Sequence, residues 1–238
     1  MSETLDFSID ERPDFPLLRV RLAQGQSCFA EPSAMVTMDP AVSLKAGLRG
    51  GLGKSMGRLM GGESLIQNTF TANAGAGEVS FAAGALGDIV HYRLDGAGSL
   101  MLSRGAYLVS SGGIALDAKW QGMRGFFSGA GMVLLRAHGQ GDVFFNAYGA
   151  LLPIDVDGHS YVDTGYVVAF EDTLSYRVTV MPGLRPGNAA KLKTFFLGGE
   201  GLICEFSGKG RVWVQTRQIG SFLSWVYPYR RVQQKNNS

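Results

Sequence analysis

The heptapeptide Gly139-Gln140-Gly141-Asp142-Val143-Phe144-Phe145 decides the fold, because its pattern occurs three times. Gly-x-Gly, a charge, Val, any residue and an apolar residue also stand at Gly75-Ala76-Gly77-Glu78-Val79-Ser80-Phe81. They stand again at Gly208-Lys209-Gly210-Arg211-Val212-Trp213-Val214. The valines are 64 and 69 residues apart. Each copy follows a glycine-bearing approach (Gly62–Leu65, Gly129–Met132, Gly199–Leu202) and an apolar run. The spacing predicts a hairpin. An apolar strand arrives, glycine supplies the positive φ of a tight turn, and a β-rich strand leaves.

A second block alternates with the first. Ser27 closes Leu22-Ala-Gln-Gly25-Gln-Ser27, Ser99 closes Leu94-Asp-Gly96-Ala-Gly-Ser99, and Ser160 closes Val156-Asp-Gly158-His-Ser160. Each is followed by a strand-like run: Ala34–Met38, Ala106–Ser110 and Gly165–Ala169. The serines are 72 and 61 residues apart, and Asp-Gly is itself a hairpin signal. Six matches in one order divide the chain into copies at 16–85, 86–149 and 150–217, with a tail at 218–238. The expected class is all-β, with three β-sandwich-like repeats about a pseudo-threefold axis and few short helices. Ile219–Tyr227 is the candidate closing helix, ended by Pro228. Small β units expose sheet edges, which packing about one axis or into a ring would pair.

Composition sets the outer limits. With 45% hydrophobic and 18% charged residues the chain is not intrinsically disordered. Its 34 glycines lack the collagen period. The net charge of +2 names no polyanion partner, but it is unevenly spread: residues 1–15 carry −4 and residues 184–238 carry +7. Cys28 and Cys204 lie in apolar runs without a Cys-x-x-Cys pattern, as expected of buried free thiols in a reducing cytoplasm. The acidic N-terminus lacks the apolar stretch of a signal peptide. The longest uncharged stretch, Ser64–Gly77, is polar and too short to span a bilayer. A cytoplasmic protein without a transmembrane segment is the expectation.

Gly198-Gly-Glu-Gly-Leu202, Phe206–Thr216, Gly141–Gly149 and Val162–Glu171 together resemble the family named for altered inheritance of mitochondria, including its bacterial members. The resemblance covers residues 16–217. It implies a triplicated double-stranded β-helix related to the tryptophan RNA-binding attenuation protein. It also implies homotrimers, in which three repeats per chain form a nine-unit pseudo-ring. It supplies no catalytic residue, cofactor or ligand.

Between the blocks lie three connectors, Lys45–Gly62, Lys119–Gly129 and Lys191–Gly199. They end in the apolar pairs Leu59 and Met60, Phe126 and Phe127, Phe195 and Phe196. Gathered near a threefold axis, these tips would form an apolar rim for a protein partner or for peripheral membrane contact. Core or subunit-interface packing is the alternative. The first connector also has the spacing of a short amphipathic helix.

Motifs with chemistry are weaker. Gly53-Lys-Ser55-Met-Gly57 fits a nucleophile elbow but has no strand before it. Gly47 to Gly53 encloses one residue too many for a P-loop. His91, His138 and His159 are 47 and 21 residues apart, unlike the close pairs of metal-binding β-helix enzymes. No catalytic residue, metal ligand or cofactor is therefore assigned. Arg211, Trp213 and Arg217 share one face at period two, the pattern of base stacking between cations. The matching positions Glu78, Ser80, Asp142, Phe144 and Asn146 oppose phosphate tracking. The sequence thus points to a non-enzymatic oligomeric scaffold or interaction protein. A single-stranded RNA-binding protein is the first alternative, and a cupin-like metalloenzyme, by analogy of fold alone, the second.

Overall fold

The computed structural model describes residues 4–48, 66–103, 105–119, 134–181 and 202–230. These residues form an almost wholly antiparallel β protein. Four short strands lead: β1 (Asp6–Asp10), β2 (Leu17–Leu22), β3 (Ser27–Ala30) and β4 (Met35–Met38). β5 (Val42–Leu48), β6 (Ile66–Ala72) and β7 (Gly77–Phe81) follow. Next come β8 (Ile89–Ser103), β9 (Tyr107–Ser111), β10 (Ile114–Lys119) and β11 (Leu134–Asn146). The last are β12 (Leu151–Asp163), β13 (Val167–Glu171), β14 (Leu174–Val180) and β15 (Leu202–Gln215). Among the described residues one α-helix, α1 (Ile219–Val226), forms where the sequence predicts it, with Pro228 in the 3-10 turn beyond it.

One sheet runs β1-β2-β7-β4. The other runs β12-β15-β13-β8-β11-β9-β3-β6-β5, with β10 on β11 and β14 on β15. Strand alternation places the core. In β2, Leu18, Val20 and Leu22 are buried while Arg21 is exposed. The buried residues gather into three clusters. The first joins Leu18, Val20, Phe70, Val79 and Phe81, and takes in Leu108 and Val109 from β9. The second joins Leu100, Leu102, Val143 and Phe145, and takes in Val168 and Ala169 from β13. The third holds Val162, Phe170, Phe206 and Val212.

The Gly-x-Gly segments at 139–141 and 208–210 do not make the predicted hairpins. β11 runs through Gly139 (φ +107°) and β15 through Gly208 (φ +115°) without reversing. Asp95-Gly96 and Asp157-Gly158 likewise lie inside β8 and β12. The reason is a change of partner. Before its glycines β11 pairs with β10 and after them with β9, while β8 stays on its other edge. β15 changes from β14 to β13 in the same way, with β12 on its other edge. Gly158 stands directly opposite Gly208, so both long strands kink at one level. At Gly139 a Cβ would run into the Gly113 carbonyl, so only glycine fits.

Candidate assembly interface

The charged residue of each heptapeptide belongs to the ladder. Glu78 stands opposite Arg21, Asp142 opposite Arg93, and Arg211 opposite Asp155. The ion-pair distances are 3.3, 3.0 and 2.7 Å, and the third pair has its signs reversed. The same residues' N–H groups donate to side chains near the end of the adjoining strand. Glu78 donates to Asp39, Asp142 to the Ser111 hydroxyl, and Arg211 to Glu171. These charges fix register between strands.

β4, β9 and β13 each carry a one-residue bulge. Met35 and Thr37 pair with Phe81 and Ser80, leaving Val36 as the extra residue. Leu108 is the extra residue between Tyr107 and Val109, as Val168 is between Val167 and Ala169. β9 is covered on its outer edge by β3, and β13 by β8. All five residues of β9 are buried, as are four of the five of β13. β4 has β7 on one edge and, among the described residues, no strand on the other. Its first three residues are exposed, Val36 at 52%. β12 is another open edge: among the described residues it pairs with β15 alone, as β1, β5, β10 and β14 also pair with one strand each. Leu152, Ile154 and Tyr161 are exposed there. An open strand carrying apolar side chains is a template for another strand.

The model of the family described as Mitochondrial biogenesis AIM24 matches residues 7–217. The chain belongs to the AIM24 family. It is 28% identical over 233 residues to an uncharacterized protein of Streptococcus pyogenes serotype M6, covering 94% of this chain and 90% of that protein. It is also similar to the X-ray crystal structure of a Streptococcus pyogenes protein. There the TM-score is 0.77 at 26% identity, over 95% of this chain and 100% of the other.

The remaining candidate residues of this AIM24-family chain are distributed as follows. Leu59, Met60, Phe126, Phe127, Phe195 and Phe196 lie outside the described residues, as does Ser55. Trp213 is only 4% exposed, with the rings of Tyr92 and Phe145 edge-on to it at 5.3 and 5.7 Å. Its ring is part of the core and offers no face for base stacking. Arg211 is held by Asp155, and Arg217 lies over Tyr148 at 6.0 Å. The histidines each meet a different carboxylate: His91 with Asp142, His138 with Asp117, His159 with Glu205. Among the described residues no three metal-ligating side chains converge. Cys28 and Cys204 are buried and free. No described helix is long and apolar enough to cross a membrane.

The sequence reading expected open sheet edges but not which strands form them. The apolar run Met35–Met38 resembles β9 and β13 in composition, and exposure depends on what lies beside it.

Proposed function

We propose that the chain is a triplicated β unit that assembles head to tail into a ring-like homotrimer and acts as a non-enzymatic scaffold. One observation carries this reading: β9 and β13 are buried beneath a strand of the preceding unit, while among the described residues their counterpart β4 lies open. β3 covers β9 and the second half of β8 covers β13. The second half of β12, Ser160–Asp163, is the remaining strand of this kind, and its outer edge is open among the described residues.

A neighbouring copy completes the series. Its β4 lies along the β12 edge, and Val36 enters the third cluster as Leu108 enters the first and Val168 the second. Burying a valine side chain contributes about 1.5–3 kcal/mol, and ladder hydrogen bonds replace those to water. A surface and its complement at opposite ends of one chain make a heterologous contact, which closes into a ring when the rotation allows. Three copies agree with the nine-unit ring that the family resemblance implies.

Native mass spectrometry tests this. The expected mass is three times 25.5 kDa, falling to one chain in a folded Val36→Asp variant. A wild-type protein that stays a single chain overturns the assembly. A trimer with bound metal or oligonucleotide overturns the bare scaffold in favour of an enzyme or an RNA binder.

A further inference from the structure

The C-terminal helix α1 carries large apolar side chains that are largely exposed. None of its residues is buried. Ile219, Phe222, Leu223 and Trp225, with Tyr227 and Tyr229 just beyond, are between 40% and 77% exposed. At 100° per residue they fall on one broad arc. Gly220, Ser221 and Ser224 occupy the narrow opposite side. Phe222 reaches the sheet body at Tyr148, with ring centroids 5.8 Å apart, and Trp225 lies against Phe222 and Tyr229.

The charge flanking the helix along the chain has one sign. No acidic residue follows Glu205 in the sequence. Arg217 precedes the helix, and Arg230 follows it with its guanidinium 3.6 Å over the Tyr227 ring. Trp and Tyr favour the water–lipid boundary, where one end of the ring is apolar and the other wet. A helix with a broad apolar arc lies in that boundary, and flanking cations draw it to anionic headgroups.

We propose that α1 and its aromatic end are a docking element for a membrane surface bearing anionic lipid. A second copy of the chain suits the arc less well. Two α1 helices packed face to face in parallel would bring their Arg230 cations together, and in antiparallel packing neither cation would meet an acidic residue on the other helix, which has none. The N-terminal acids Asp6 and Asp10, which could meet Arg230 from another copy, are already paired with Arg21 and Arg19.

The test is co-sedimentation of the full chain with vesicles of phosphatidylcholine, alone or with about 30% phosphatidylglycerol. Solution mass is measured in parallel by light scattering. The expected result is roughly fivefold or greater enrichment on the anionic vesicles, reversed by salt and lost in a Phe222→Ser/Trp225→Ser variant. Circular dichroism of the variant should be unchanged. No wild-type binding to either vesicle, equal binding to both, or equal binding by the variant would each overturn the proposal. So would a variant of altered solution mass together with a wild type that ignores vesicles, since the arc would then join copies of the chain.

Discussion

Val36 and Leu108 hold the same place in their strands, yet one is 52% exposed and the other fully buried. Each is the extra residue of a bulge, opposite the step from Ser80 to Phe81 in β7 or from Phe144 to Phe145 in β11. The difference lies in the neighbour. β3 covers Leu108, while nothing among the described residues covers Val36.

The two positions should therefore respond differently to truncation. Leu108→Ala leaves a cavity in a closed core and should lower chain stability by about 2–5 kcal/mol at any protein concentration. Val36→Ala should leave the stability of the single chain within about 0.5 kcal/mol and remove part of the concentration dependence of unfolding. Denaturant titrations at two protein concentrations separate these outcomes. A Val36→Ala loss as large as that of Leu108→Ala, independent of concentration, would place Val36 inside the chain's own core.

The glycine kinks make a second pair. Gly139 and Gly158 both sit at φ near +105°, at +107° and +103°. A Cβ on Gly139 meets the Gly113 carbonyl, while one on Gly158 meets open space. Gly158→Ala should cost about 1–2 kcal/mol from backbone strain alone. Gly139→Ala adds a steric clash with backbone and should cost clearly more, read as a lower thermal midpoint. Equal costs would mean that the chain relaxes around Gly113.

These glycines also show how far the sequence could be read. The heptapeptides located strands and positive-φ positions correctly, because period-two burial and glycine need no knowledge of neighbours. They did not separate a hairpin from a kinked through-strand, since both place glycine at positive φ between apolar runs. What separates them is the partner change at residues 139–141 of β11, a non-local fact. That some edges stay open was legible, but which strands form them was not, for the same reason. Met35-Val-Thr-Met38 reads like the buried Val167–Phe170, and only the covering strand distinguishes them. Trp213 illustrates the converse: period two placed it correctly on a face with Arg211, but that face packs against Phe145 and Tyr92.

The two thiols should be silent in the folded protein. Burial pushes Cys28 up to about 12. Burial, and then the nearby Asp163 charge, push Cys204 to about 12. The thiolate is the reactive form, so a thiol reagent at neutral pH should modify neither until denaturant is added. Rapid stoichiometric modification of the native chain at either cysteine, located by mass spectrometry, would show that its strand opens.

Asp142 gives the pH dependence. Its side chain is almost fully buried where β11 meets β8 and the N-terminal segment. Burial alone would raise its pKa. The hydrogen bonds from His91, the Leu5 N–H and Arg93 outweigh burial and hold it below the usual carboxylate value. A carboxylate with a lowered folded pKa stabilises the protein above its unfolded pKa of about 3.9. That stabilisation is lost as pH falls through the folded value. Asp142→Asn removes the charge and leaves Arg93 without this partner, which should cost about 1–3 kcal/mol at pH 7. The thermal midpoints of wild type and variant should converge as pH drops below about 4. A gap that stays constant from pH 7 to pH 3 would mean that shape, not charge, holds Leu5 and the N-terminal strand in place.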